Sequence, residues 1–148
     1  MNPQDLLRGY DLQHLTIGTL GGHSALDVCS GAKKYGFGTV VVAQKGREKT
    51  YEKYFRTRTL RDAPPAERRG FASAGGEASG GLTIGCVDDV IILKNFKDVV
   101  KKEIQEDLRK RNTIFIQSRY FWVYFKDFAR VETDFKVPIF GNRSYVKI

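Results

Sequence analysis

The sequence is poor in the features that mark membrane, disulfide-rich and zinc-binding proteins. No apolar run approaches the roughly 18 residues that a membrane-spanning helix needs, so the chain is not expected to cross a bilayer. Its first 15 residues lack the basic and then apolar pattern of a secretory signal. The only cysteines, Cys29 and Cys86, form no C-x-x-C pair, which predicts reduced thiols in a cytoplasmic protein and no zinc site.

Several catalytic signatures are also missing. The glycine-rich stretch of residues 75–85 does not end in Lys-Ser or Lys-Thr, so it is not a P-loop, and no G-x-G-x-x-G follows the first predicted strand. The sequence shows no Ser-His-Asp set, no metal-ligand spacing and no paired acid and base. We therefore predict neither a catalytic residue nor a metal ligand in this chain.

What is present is charge of one sign. The 148 residues are 41% apolar, enough for one domain with its own core, and they carry a net charge of +8. Five of these eight charges come from residues 44–69, which contain nine Lys and Arg against four Asp and Glu. Such an excess serves an anionic ligand, a nucleic acid or solubility alone, and composition does not choose among them.

A buried strand, a helix and a second buried strand follow one another near the start. Residues 15–20 are apolar and end at two glycines, and residues 39–43, TVVVA, are a β-branched run typical of a parallel sheet. Between them Ser24 and Asp27 have the spacing of a capping box, and Gly36 predicts the helix end. This pattern predicts a βαβ unit.

The alternation of strands and helices continues along the chain. Further strands are predicted at residues 90–93, 113–116 and 136–140, and a helix that begins at Asn95 has one apolar face. The fold class is therefore α/β, an open and mostly parallel sheet with helices on both faces. Residues 56–85, rich in Arg, Pro, Gly and Ala, interrupt the pattern and are predicted to form a flexible insertion outside the sheet.

Loops at the carboxyl ends of the strands are where an open parallel sheet binds its ligand. The helix start at Ser24 offers free backbone N–H groups, and Lys45 and Arg47 add positive charge after the second strand, which favours a phosphate. These residues point to an α/β domain that binds a small organic phosphate. His23, in the first loop, is either a ligand contact or a local hydrogen-bonding group, and the pattern leaves both open.

Three segments together resemble a known family. They are TLGGHS at residues 19–24, GAKKYGF at residues 31–37 followed by Lys45-Gly46-Arg47 and Tyr51, and FKVPIFGNR at residues 135–143. They resemble the amino-terminal domain of the archaeal formate-dependent 5-formaminoimidazole-4-carboxamide ribonucleotide synthetases, which are ATP-grasp ligases of purine (IMP) biosynthesis. The resemblance implies a Rossmann-like preATP-grasp domain over residues 1–148 and covers most of the chain outside residues 56–85.

The resemblance also implies a function. The family joins formate to the amine of 5-aminoimidazole-4-carboxamide ribonucleotide, and it uses ATP and magnesium to do so. The family histidine that contacts the ribonucleotide falls on His23, and the substrate site would add Tyr120 to Ser24, Lys45 and Arg47 of the neighbouring loops. The chain would then be a substrate-side domain, inactive alone, whose partner is an ATP-grasp domain or a full-length homologue. Whether the chain also forms a homo-oligomer is left open by the sequence.

The sequence departs from the family pattern in three places. Tyr120 stands where the family has a small serine that touches the substrate, so its ring either blocks the pocket or makes a different contact. Residues 56–85 contain an insertion, and the chain ends soon after residue 143, so the ATP-grasp core and its cofactors are expected elsewhere. The alternative is a paralogue that serves as a non-enzymatic binding or regulatory module. A nucleic-acid binder that uses residues 45–69 is less favoured, because few aromatic side chains lie there.

Overall fold

The structure is a computed structural model that describes residues 3–66, 69, 83–117, 119–125, 131 and 133–140. Its strands are β1 (Thr16–Leu20), β2 (Gly38–Gln44), β3 (Arg58–Thr59), β4 (Thr83–Ile84), β5 (Asp89–Leu93), β6 (Thr113–Ile116) and β7 (Ile139–Phe140). Its α-helices are α1 (Pro3–Leu6), α2 (Ala25–Lys34), α3 (Lys102–Lys110) and α4 (Arg119–Tyr124). A π-helical turn (Thr50–Tyr54) and 3₁₀ turns (Leu60–Asp62 and Phe96–Val100) connect them. No helix in these ranges is both long and apolar enough to cross a membrane.

Five parallel strands form the main sheet, in the order β5-β2-β1-β6-β7. The central strand β1 pairs in parallel with β2 on one side and with β6 on the other. β5 extends the sheet beyond β2, and β7 extends it beyond β6. The predicted open, parallel sheet is therefore confirmed, with a last strand that is shorter than the predicted residues 136–140.

Helices cover both faces of the sheet, because successive side chains of a strand point to opposite sides. On one face, Val41 and Ala43 of β2 pack with Ala25 and Cys29 of α2. On the other face, the alternate β2 residues join a larger cluster that takes in the second 3₁₀ turn, α3 and α4. Its buried members include Val40, Val42, Phe96, Leu108, Phe115 and Phe121. The predicted arrangement of helices on both faces is confirmed.

The βαβ unit forms as predicted, but its helix cap does not. Ser24 occupies the position before α2, yet its side chain makes no capping hydrogen bond, so the predicted capping box with Asp27 is wrong. The backbone of Ser24 is already helical, at φ −92° and ψ −1°, whereas a capping side chain acts from an extended backbone. At the other end Gly36 has φ 80°, which ends the helix in the way that glycine permits.

The helix predicted from Asn95 is divided into two elements. Asn95 and Asp98 form a capping box, in which the N–H of Asn95 donates to Asp98 Oδ2 at 3.2 Å. The chain then leaves the helical conformation at Lys101, where ψ is 140°, and α3 begins at the next residue. Gln105 of α3 reconnects the two elements, because its side-chain amide donates to the Val99 carbonyl at 2.7 Å.

The two ends of the predicted insertion pair with each other outside the main sheet. β3 and β4 are antiparallel, with Arg58 opposite Ile84. Leu60 and Ala63, which follow β3, are buried, so the first residues of the segment pack against the domain. Residues 67, 68 and 70–82 lie outside the described part of the chain, and the flexibility of the insertion stays a prediction.

Asp88 fastens this paired stem to the amino end of β2. Its carboxylate accepts hydrogen bonds from Lys33 Nζ and from the backbone N–H of Thr39, each at 2.9 Å. Burial alone would raise the pKa of Asp88, but hydrogen bonds from Lys33, Thr57 and Thr39 outweigh it, so the pKa lies below 3.8. Lys33, in the last turn of α2, thus joins that helix to the stem.

Candidate functional site

The carboxyl ends of β1 and β6 lie at the point where the sheet changes direction. The chain passes from β1 to β2 on one side, but it later places β6 on the other side of β1. In an open α/β sheet the crossovers on the two sides of such a point separate, and the crevice between them is where ligands bind. The flanking loops are residues 21–24 after β1 and residues 117–120 after β6.

Backbone hydrogen bonds hold the first loop in place. The N–H of Gly21 donates to the Val42 carbonyl at 2.8 Å, and the N–H of Ala25 donates to the Gly22 carbonyl at 3.1 Å. Hydrogen bonds therefore fix the turn both to β2 and to the first residue of α2. It leaves His23 exposed at the carboxyl edge of the sheet, with Ser24 half-buried behind it.

The second loop, residues 45–47, follows β2 and places two cations at the carboxyl end of that strand. The N–H of Lys45 donates to the Leu93 carbonyl at 2.7 Å, and the N–H of Arg47 donates to the Gln44 carbonyl at 2.9 Å. Gly46 between them has φ 93°, a conformation that glycine adopts without strain, and its N–H donates to the Glu48 carboxylate. The side chains of Lys45 and Arg47 are exposed.

Tyr51 joins the two loops, although it is not among the site residues that the sequence predicts. Its side chain is 6% exposed and lies against Gly21, where an added Cβ would stand 2.9 Å from the ring. Its hydroxyl donates to the Gly22 carbonyl at 3.4 Å. Burial raises the pKa of Tyr51, as does nearby Cys29, although Arg47 opposes the change, so the phenol is a proton donor at neutral pH. The signal in the sequence is the glycine pair, whose first member leaves room for a ring.

The third loop is described only in part. Gln117 follows β6, and its side-chain Nε2 is buried without a hydrogen-bond partner among the described residues. Tyr120 is the second residue of α4 and so lies on the predicted edge, but its side chain is outside the described part of the chain. Ser118 and residues 141–143 are outside it as well. Both alternatives for Tyr120, a ring that blocks the substrate pocket and a ring that makes a different contact, stay predictions.

A space of ligand size is present at the carboxyl edge of the sheet, but its lining includes none of His23, Ser24, Lys45 and Arg47. A cavity of about 450 Å³ lies beyond the carboxyl ends of β2 and β5. It is lined by Gln44, Asn95, Phe96, Lys97, Asp98 and Tyr124. Small-molecule sites commonly fall between about 300 and 1,000 Å³. Within the described ranges, no group of three or more His, Cys, Asp and Glu side chains is placed to hold a metal ion.

The two cysteines are free thiols without the character of nucleophiles. Burial raises the pKa of Cys29 to about 12, helped by Cys86 and Asp88 and opposed by Lys33. Burial also raises the pKa of Cys86. Because the thiolate is the reactive form, burial makes both thiols less reactive at neutral pH than an exposed cysteine.

A protein family described as "Protein of unknown function (DUF1246)" matches residues 17–148. The chain belongs to the DUF1246 family. The match takes in β1 from its second residue, the three loops and α4, so every predicted site residue of this DUF1246 chain lies inside the family region.

Named relatives of this DUF1246 chain are synthetases. A protein of Methanothermobacter thermautotrophicus, named 5-formaminoimidazole-4-carboxamide-1-(beta)-D-ribofuranosyl 5'-monophosphate synthetase, is 32% identical over 143 residues, or 97% of this chain. Proteins with the same name from Methanosphaera stadtmanae and Methanopyrus kandleri are also 32% identical over 143 residues. The chain spans 31% of the length of each of them, and the predicted resemblance is confirmed. A crystal structure of the IMP biosynthesis protein PurP from Thermococcus kodakaraensis aligns with a TM-score of 0.49 and 21% identity, over 88% of this chain and 31% of that one.

Proposed function

We propose that this DUF1246 chain is the substrate-side domain of a ligase that formylates 5-aminoimidazole-4-carboxamide ribonucleotide with formate and ATP. The observation that carries the proposal is the 32% identity, over 97% of the chain, to proteins named as synthetases of the formylated ribonucleotide. Because the chain spans 31% of such relatives, the ligase reaction is assigned to a protein of their full length. ATP and magnesium act there with an ATP-grasp core, and this chain recognises the ribonucleotide.

The geometry of the carboxyl edge supports this division of labour. A ribonucleotide carries a phosphate, and the start of α2 together with Lys45 and Arg47 supplies backbone N–H groups and positive charge for it. His23 is exposed on the adjoining loop. A neutral imidazole at this point hydrogen-bonds the carboxamide or the ribose, and a protonated one meets the phosphate.

The proposal is tested by calorimetric titration of the chain with 5-aminoimidazole-4-carboxamide ribonucleotide. We expect His23→Ala to weaken binding by about 1–3 kcal/mol, the usual cost of leaving a polar partner unpaired. Thermal unfolding should change little, because His23 lies in an exposed loop at the edge of the sheet. His14→Ala is the matched control, since His14 is also exposed but precedes β1, pairs with Asp11 at 2.7 Å and lies at the opposite edge.

The outcomes of this titration test the proposed function and the role of His23 separately. Wild-type chain that binds no ribonucleotide contradicts the proposed function and favours the paralogue alternative, which gains no support from the named relatives. Wild-type and His23→Ala chains with equal affinity leave the function standing but assign His23 a structural role. A cytoplasmic location and a homo-oligomer stay predictions, which fractionation and light scattering would check.

A further inference from the structure

We infer that Tyr51 is a positioning residue that sets the His23 loop against the Lys45–Arg47 loop and so determines how tightly a ribonucleotide is held. The inference rests on the proposed function, because it gives the two loops a common ligand. Tyr51 itself is buried and does not touch that ligand.

The ring of Tyr51 is wedged beneath the first loop. An added Cβ on Gly21 would stand 2.9 Å from the ring carbon Cε2 and 3.3 Å from the Cα of Ala43 in β2. Side chains rarely approach this closely, so the loop and the ring occupy complementary space. The ring belongs to the cluster that also contains Ala25, Cys29, Val41, Ala43 and Val87. The first loop therefore rests on a side chain that is rigidly packed.

The hydroxyl of Tyr51 acts on the peptide that leads into His23. It donates to the Gly22 carbonyl at 3.4 Å, and that same oxygen accepts the N–H of Ala25 at 3.1 Å. The carbonyl is thus held from two directions, by the phenol and by the first turn of α2. Rotation of this peptide would move the attachment point of the histidine, so the phenol fixes the direction in which His23 leaves the backbone.

The backbone of Tyr51 belongs to the second loop. Its N–H donates to the Glu48 carbonyl at 2.9 Å, and the Glu48 carboxylate accepts the N–H of Gly46. The π-helical turn Thr50–Tyr54 therefore continues directly from the loop that carries the two cations. Turns of this type are rare and are frequently found at functional sites. One residue consequently has its main chain in one loop and its ring under the other.

Two substitutions at Tyr51 test the inference. Tyr51→Phe keeps the ring and should fold normally, with ribonucleotide affinity reduced a few-fold through loss of one long hydrogen bond. Tyr51→Leu removes the ring edge under Gly21, and we expect affinity to fall by about tenfold or more. Tyr54→Leu is the matched control, because Tyr54 lies in the same turn but is 57% exposed. Its affinity should equal that of the wild type.

The inference is also tested from the glycine side. Gly21→Ala pushes a methyl group against the ring and should reproduce the affinity loss of Tyr51→Leu. Gly31→Ala is its control, because an added Cβ at Gly31 meets nothing within 4 Å. If Gly21→Ala and Tyr51→Leu both bind the ribonucleotide as tightly as the wild type, Tyr51 only fills the core and the inference is wrong.

Amide hydrogen exchange separates failure of the inference from failure of the proposed function, since it needs no ligand. In Tyr51→Leu, exchange should accelerate in residues 21–24 more than in α3, which Tyr51 does not contact. Acceleration of equal size throughout the domain would mean a general loss of stability and would overturn the inference. If wild-type protein binds no ribonucleotide, the proposed function fails, and this exchange pattern alone decides whether Tyr51 positions the loop.

Discussion

Replacing Gln105 by alanine removes three hydrogen bonds from the interior of the domain. The side-chain amide donates to the Val99 carbonyl at 2.7 Å, and the side-chain oxygen accepts the N–H of Lys136 at 2.7 Å and of Val137 at 3.0 Å. Gln105 is 3% exposed, and Val99 and Val137 are fully buried. A single side chain thus connects a 3₁₀ turn, α3 and the segment that leads into β7.

The magnitude follows from which of these groups water can reach. Lys136 is exposed, so water replaces its lost partner, whereas the Val99 carbonyl and the Val137 N–H stay buried and unpaired. Each unpaired buried group costs about 1–3 kcal/mol. With the small cavity that the truncation leaves, we expect Gln105→Ala to lower the free energy of unfolding by about 3–5 kcal/mol. Domains of this size are stable by only about 5–15 kcal/mol.

Urea denaturation followed by circular dichroism measures this loss. Glu106→Ala is the control, since Glu106 is the next residue along α3 and makes an exposed ion pair with Lys102 at 3.8 Å. Such pairs contribute about 0.5 kcal/mol or less, so its unfolding curve should nearly overlay that of the wild type. A loss below about 1 kcal/mol for Gln105→Ala would refute the assignment of Gln105 as the connection between these elements.

Two further predictions concern the stem of the insertion. Asp88→Asn should lower the free energy of unfolding by about 1–2 kcal/mol at neutral pH. Because the pKa of Asp88 is lowered in the fold, its contribution is complete above pH 3.8 and is lost as the pH falls through the lower folded pKa. Urea denaturation curves of the two proteins should therefore converge in acid, and a constant difference would contradict the assignment. Gly85→Ala should lower the free energy of unfolding, measured by thermal unfolding, by about 1–3 kcal/mol more than Gly9→Ala. Both glycines have φ above 80°, but only at Gly85 would the added Cβ meet a backbone atom, the Arg56 carbonyl oxygen. Equal losses would argue against the paired stem.

The sheet is predictable from the sequence because its signals are local. The run TVVVA has no charged residue and three β-branched valines, so it predicts a strand that is buried on both faces, and Val40, Val41 and Val42 are fully buried. The cap of α2 is not predictable in the same way. The backbone of Ser24 is set by the hydrogen bond from Gly21 to β2, a tertiary contact that residue types do not reveal.

The candidate site is also predictable from the sequence only in part. The positions of His23, Lys45 and Arg47 at one edge follow from strand direction alone, because parallel strands end on the same side. The contact between their loops depends on the ring of Tyr51 and on the space over Gly21, and no periodic pattern encodes it. Likewise, Asp88 pairs with Lys33 across 55 positions of the chain, a partnership that only the folded topology creates.

The position of β1 has a consequence for synthesis of the protein. β1 leaves the ribosome before β6, yet it lies between β2 and β6 in the sheet, and Thr16 must wait for Thr113 before its second edge is closed. Until then a nascent chain presents β1 and β2 with an open edge, a template for pairing with neighbouring chains. Pairing between distant segments also slows folding. We therefore expect shortened products that end before β6 to associate through this edge more readily than chains that include β6.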